Sequence, residues 1–486
     1  MRQTLKRFIK LTAGYSPVTL LGPLLMIFLT PLYTRALEPA DYGVVDVSLT
    51  LFSLIGAFFM LAMDQAISAH FFDGDVLHQR DLVKTALVFI GLSGTVMSIC
   101  MAMTGVPLAR LLFKDPGRIY IIILLSISTM AGSVYSVTSA ALRLQMNVKR
   151  VNTLGLAFLL ATVANNVLFV LILHLKATGI IAAITLTNLL AAGLALILAR
   201  DTLWGKFSLQ LLKPLARTGL SLLPGGISTL LLMSADRLLL TQFVSPGEIG
   251  LYSIANKLAS MMYILSNAAW SAWWPMALEM ASKSESPRQY ARMFEYFVAG
   301  TMLLALAIGA FAPNILAIFT RSAYVPAAPY ALVLLIYFGP IGSMFGFFQI
   351  GFYVHKRTHV ISALYFTSAA VNIALNLLLN PIVGVWGAVW ATVIAGTVLV
   401  ALAYFSGQRM FPVPYRLLRF FALTAAYLVL VAAFLLIPAF SAVAFKASAL
   451  LLFALVIPAV GVVSRGQLQL GLQLVRYRLG RLAQPK

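Results

Sequence analysis

Carboxylates are scarce in this chain. Of its 486 residues only 14 are Asp or Glu, against 35 Lys and Arg, and charged residues of both signs make up 10%. A soluble domain carries roughly 25%. With 61% hydrophobic residues, the chain excludes an ordinary soluble fold and is expected to be an all-α integral membrane protein. Cysteine is nearly absent: Cys100 stands alone, which excludes an intramolecular disulfide. There is no Walker A string, so ATP hydrolysis by this chain is not expected, and no HExxH or paired-cysteine metal site. The five histidines, His70, His78, His174, His355 and His359, fall at expected span ends or loops and do not form a relay. No long polar loop is available to house a polymerase or ligase site. The sequence predicts no enzyme, no cofactor and no metal.

What the chain does have is apolar length. About 14 stretches reach the roughly 20 residues a bilayer crossing needs, and their runs are continuous rather than alternating, which favours helices over a barrel. The net charge of +21 invites a polyanionic partner, but its placement does not. With the N-terminus in the cytoplasm, most Lys and Arg fall at cytoplasmic ends: Arg2, Lys6, Arg7 and Lys10, then Lys149 and Arg150, Lys356 and Arg357, and Arg476, Arg478 and Arg481. This positive-inside bias puts both termini in the cytoplasm and predicts no nucleic-acid partner. The basic start continues past signal-peptide length without a cleavage site, so it reads as a retained helix.

The chain also repeats. A shift of 207 residues carries Pro17 onto Pro224, Pro39 onto Pro246, Gly43 onto Gly250, Lys149-Arg150 onto Lys356-Arg357 and Asn165 onto Asn372. Each copy holds six spans, an even number, so the repeat is parallel rather than inverted. The expected organisation is a six-helix lobe over 1–204, an amphipathic cytoplasmic linker over 205–218, a second six-helix lobe over 219–406, and accessory helices 13 and 14 with an amphipathic cytoplasmic tail over 407–486. In the linker, Phe207, Leu211, Leu212 and Leu215 share one face beside Lys206, Lys213 and Arg217, which suits a helix lying on the membrane surface. Duplicated bundles of this kind are characteristic of transporters.

Two strings carry a family resemblance. One is Thr34-Arg-Ala-Leu-Glu-Pro-Ala-Asp-Tyr-Gly43; the other is Ala235-Asp-Arg-Leu-Leu-Leu followed by Pro246-Gly-Glu-Ile-Gly-Leu-Tyr-Ser-Ile-Ala-Asn-Lys257. Over about residues 10–410 the chain resembles the polysaccharide transporters, the Wzx-type flippases of lipid-linked oligosaccharides. Those belong to the superfamily of multidrug extruders, oligosaccharide flippases and lipid II flippases. The resemblance implies two lobes forming a V around a cavity that opens alternately to each side. It also implies secondary-active transfer of undecaprenyl-diphosphate-linked oligosaccharide (an O-antigen, capsule or exopolysaccharide repeat) from inner to outer leaflet of a bacterial cytoplasmic membrane. Membrane lipids, a polysaccharide polymerase and glycosyltransferases would be partners. An ion-coupled multidrug extruder or a lipid II flippase is the alternative.

Such cargo needs cationic and hydrogen-bonding groups inside the bilayer, where unpaired charges are costly. The candidate binding residues are Lys257, Arg237, Arg35, Arg143, Asn256 and Tyr252. Lys257 either faces cargo or snorkels to the interface. Asp46 and Asp236 are candidates for ion coupling or for a gate, with Asp46 a possible partner of Lys257 or Arg237. Asn165, Asn166, Asn372 and Asn376 read as packing amides, and Trp270, Trp273 and Trp274 as an interfacial belt. Pro23 in span one, and Pro224, Gly225 and Gly226 breaking span seven, are candidate hinge residues. The charges are private to one copy: Asp46 corresponds to Ser253, Lys257 to Thr50 and Arg237 to Thr30.

Overall fold

The computed structural model describes residues 29–280, 286–437 and 442–462. Among these residues the chain is helical nearly throughout and contains no strand. Eleven described segments are long and apolar enough to cross a membrane, and Val443–Ala459 is a shorter apolar helix. The expected count of about fourteen is not reached among the described residues: most of the first expected span lies outside them, the helix Pro246–Met280 at the expected eighth span is not among the eleven, and Val443–Ala459 at the fourteenth is short. Pro23, the basic N-terminal residues and the amphipathic tail also lie outside.

The chain divides into two compact units. The first comprises the described residues up to Ser253 with Ile318–Tyr324 and Ile373–Ala388; the second comprises the remainder. In the first unit run α1 (Pro39–Met60), α2 (Met63–His70), α3 (Val76–Phe113), α4 (Ile119–Leu144), α5 (Val148–Asn166), α6 (Lys176–Leu198), the short α7 (Arg200–Leu203) and α8 (Leu209–Leu240). The helix α9 (Pro246–Met280) begins in this unit and continues into the second.

Local chemistry sets these boundaries. Pro39 opens α1, where its missing N–H costs nothing. Asp75 caps α3 by accepting from His78 N at 2.9 Å, and Asn147 caps α5 by accepting from Arg150 N at 3.1 Å. Leu61 and Ala62 both take left-handed backbone, which separates α1 from α2. The core of this unit gathers Met63, Ile67, Phe71, Leu82, Val83 and Leu215. Leu215 comes from the segment expected to lie on the membrane surface. That segment instead runs on into α8, capped by Ser208, and its apolar face is covered by protein at Leu215.

One further expectation is corrected. The helix α8 is unbroken through Pro224, Gly225 and Gly226; Ser228 and Thr229 donate back to the carbonyls of Pro224 and Gly225 at 2.7 and 3.0 Å, a contact that bends rather than ends a helix. The tryptophans expected as a belt pack against other aromatic side chains. Trp270 packs on Phe297 and Phe347 at centroid distances of 5.0 and 4.9 Å, and the buried Trp273 packs on Tyr290 at 5.5 Å. A side chain at Gly346 would collide with the Trp270 ring, so ring size and the missing Cβ are matched. The paired amides behave as packing groups: Asn165 donates to Thr187 at 2.9 Å and Asn380 to Asn376 at 3.1 Å.

The second unit holds the rest of α9, α10 (Ser286–Ala310), most of α11 (Ala312–Phe319), α12 (Ala328–Ile336), α13 (Gly342–Phe348), α14 (Ile350–Val354), the first part of α15 (His359–Val383), most of α16 (Val385–Met410), α17 (Leu417–Leu436) and α18 (Val443–Ala459). A π-helical turn, Tyr337–Ile341, joins α12 to α13 around Pro340. Such turns relieve a helix that proline has robbed of a donor.

Candidate functional site

The most polar place inside the first unit lies where α1, the end of α8 and the start of α9 meet. Arg237 Nε stands 2.6 Å from Asp46 Oδ2 across the α1–α8 contact. Its neighbour Asp236 is almost fully buried, with one carboxylate oxygen 4.0 Å from Arg237 Nη1 and 2.9 Å from the Arg237 backbone N–H. The other oxygen of Asp236 accepts from the hydroxyl of Tyr252, itself wholly buried on α9. Arg237 also donates to the Met233 carbonyl at 3.0 Å. One cation thus lies between two carboxylates, and one tyrosine ties the second carboxylate to α9. With the Arg237 side chain 11% exposed and Asp236 3%, loss of either partner would strand a charge, at about 3–5 kcal/mol.

Directly adjoining on the same helices is a contact between repeat-equivalent positions. A Cβ added to Gly43 would overlap the carbonyl of Pro246, and a Cβ added to Gly250 would overlap the carbonyl of Pro39. Each copy's glycine therefore receives the other copy's helix-opening proline, and main chain meets main chain. Around this contact, Tyr42 packs edge-on against Tyr324 at 6.2 Å, and the Tyr324 hydroxyl donates to Leu37 O at 3.1 Å. Arg321 pairs with Glu38 at 2.9 Å, and Arg35 donates to Ile318 O at 3.0 Å. This end of the unit is tied shut by backbone, aromatic and ionic contacts.

Of the residues singled out in the sequence, Asp46, Asp236, Arg237 and Tyr252 come together. Arg35 is exposed and engaged with a backbone carbonyl at the same end. Asn256, buried, and Lys257, half-buried, follow on α9 within the second unit. Arg143 is exposed in the last turn of α4. Sequence reasoning missed Tyr42, Tyr324 and the reciprocal glycine contact. The signal was present in part, since Pro39–Gly43 and Pro246–Gly250 are repeat equivalents, but a repeat does not say that its copies touch.

The second unit holds a partly open cavity of about 700 Å³. Its walls come from α10, α12, α13, α16 and α17, among them Phe294, Met344, Phe348, Trp390, Tyr404 and Phe421. Next to the lining Phe294, the buried Glu295 faces Arg416 and Arg419 at 3.9 and 4.0 Å. No group of His, Cys, Asp or Glu able to hold a metal occurs among the described residues.

A family model described as polysaccharide biosynthesis protein matches residues 32–329. No curated sequence matches. Among solved structures, "Lipid II flippase MurJ, inward closed conformation" is similar with a TM-score of 0.69 at 15% identity, over 92% of this chain and 98% of that one. A multidrug resistance MATE family transporter of the MOP superfamily in its inward-facing conformation gives 0.60 at 14% identity, over 79% and 93%. The outward-facing conformation of such a transporter gives 0.52 at 13%, over 82% and 94%. These identities speak for a shared fold.

Proposed function

Because this chain belongs to the polysaccharide biosynthesis protein family of membrane flippases and has the fold of MOP transporters, we propose that it is a secondary-active flippase. Its cargo is an undecaprenyl-diphosphate-linked oligosaccharide, moved from inner to outer leaflet of a bacterial cytoplasmic membrane by alternating access. Both termini lie in the cytoplasm, the two repeats act as lobes, and no bond in the cargo is made or broken. Membrane lipids surround the chain, and a polymerase and glycosyltransferases act before and after it.

The observation that carries this reading is the cluster of Asp46, Arg237, Asp236 and Tyr252 beside the reciprocal glycine contact. Charges buried in a span persist where they do work, and here they latch helix starts from the two repeats. In the proposal these residues, with Arg35, form the outer gate. Arg237, spoken for by two carboxylates, acts there rather than on the cargo. Lys257, with Asn256, receives the pyrophosphate, and Arg143 meets it at the cytoplasmic entrance. The deep cationic group favours an anionic cargo over the cationic drugs of a multidrug extruder. The aromatic cavity of the second unit gives an isoprenoid tail an apolar wall. Bending of α8 at Pro224, Gly225 and Gly226 moves the gate.

The test is reconstitution into liposomes with lipid-linked sugars, scoring sugar exposure to an external enzyme. Wild-type protein is expected to expose the sugars, and Lys257→Ala to insert normally yet expose few. Full exposure by Lys257→Ala would remove the cationic site, and transport of drugs with no transport of lipid-linked sugars would replace the reading with the extruder.

A further inference from the structure

Sequence and structure disagree about one lysine. No Asp or Glu follows Glu295 in the chain, and Glu295 is already flanked by Arg416 and Arg419. Yet Lys446, in the first turn of α18, is buried to 4% exposure. Its ammonium donates to the side-chain oxygen of Asn314 on α11 at 2.6 Å and lies 5.4 Å from the centroid of the Phe311 ring. Both partners are neutral. An ammonium has three donors, and no carboxylate of the described residues comes within ion-pair distance of it. A buried charge compensated only by an amide and a ring face is expensive.

The ammonium lines a cavity of about 190 Å³ built from helix ends. It is framed by the end of α10, the starts of α11 and α12, and Phe434, Leu435 and Ile437 at the end of α17. Apart from Lys446 the walls are apolar. Ends of spans are where a bilayer keeps its headgroups. A pocket with one cation, greasy walls and a place at the end of a helical unit suits an amphiphile whose head is a single phosphate.

We propose that Lys446, steadied by its hydrogen bond to the exposed Asn314, forms a site for the phosphate head of a membrane amphiphile, an anionic phospholipid or a polyprenyl phosphate. The ammonium takes one phosphate oxygen while its bond to Asn314 holds it in place, and the first methylenes of the tail lie against Phe434, Leu435 and Ile437. On the topology proposed above this end faces outside, so the lipid is drawn from the outer leaflet. The leaflet rests on that topology; the site itself involves no transport step and is tested by lipid retention alone.

The test uses the full-length chain in nanodiscs and native mass spectrometry. Four probes are offered: phosphatidylglycerol, undecaprenyl phosphate, a diacylglycerol without phosphate, and inorganic phosphate. Wild-type protein is expected to retain one phosphate amphiphile and neither the diacylglycerol nor free phosphate; the first two probes distinguish the two sources. Lys446→Met should weaken retention about tenfold, the loss of one charge-assisted hydrogen bond, while Lys446→Arg keeps it. Asn314→Asp guards against misfolding, because it supplies a carboxylate where the amide oxygen stands, 2.6 Å from the ammonium. It should abolish lipid retention while preserving or raising thermal stability. Equal retention by wild type, Lys446→Met and Asn314→Asp would overturn the site, and equal binding of inorganic phosphate would overturn the amphiphile.

Discussion

Replacing Asp46 by Asn removes one charge from the cluster and little volume. At the observed 2.6 Å, opposite unit charges attract by about 6 kcal/mol at an effective dielectric of about 20. Not all of that is lost. Asp236 remains 4.0 Å from the guanidinium, and the new amide oxygen still accepts a hydrogen bond. Taking the lower end of the cost of halving a buried pair, about 3 kcal/mol, and assuming the pair exists only when the helix starts are shut, the closed state loses about 150-fold in population relative to the open one. Spin labels on Ala40→Cys and Gly247→Cys, with Cys100→Ser, report the distance between the starts of α1 and α9 by pulsed electron spin resonance. Asp46→Asn is expected to convert a single short distance into a mainly long one, and Arg237→Gln to do the same, with the double variant no worse than either. An unchanged short distance in Asp46→Asn, in protein that folds and inserts, would refute the latch.

Gly250→Ala places a methyl group where the Pro39 carbonyl stands, so the same labels should report separated helix starts and glycan export should fall, with Gly43→Ala its counterpart. Pro224→Ala/Gly225→Ala/Gly226→Ala should stiffen α8; Gly226 has open space for a Cβ, so that position should be tolerated sterically, and unchanged export would count against a hinge. Asp201 lies outside the spans; Arg150, in the first turn of α5, donates to it at 2.8 Å and holds that carboxyl below its ordinary value. A depressed carboxylate stabilises the fold above its unfolded pKa and loses that contribution as pH falls through the folded one. Asp201→Asn should therefore melt slightly earlier than wild type at neutral pH and equally below the usual carboxylate range, read as a difference in Tm; the pair is exposed, so the shift is small.

The parts of this molecule legible in the sequence are those written in composition and punctuation. Apolar runs predicted helical spans, and Pro39, Gly43, Pro246 and Gly250 announced a duplication. The partnership of Asp46 with Arg237 was legible only as one option among several, beside Lys257 as the partner and a role in ion coupling. Periodicity reports that a helix face is apolar, not what covers it. That is why Leu215 was expected against lipid and is found against α2 and α3. Tyr252 and Asp236 are separated along the chain by a whole helix connection, and only the angle at which α9 returns makes them partners. The sequence did not single out Lys446; its burial and the neutrality of its neighbours are facts of packing.

The contact between the two glycines is made of main-chain atoms alone. It asks of the sequence only that two positions lack a side chain and that two prolines open their helices. Nothing in that requirement refers to a sugar or a lipid. Descendants of this chain are therefore free to exchange every side chain that touches cargo, and so to change what is carried, without rewriting how the door meets its frame.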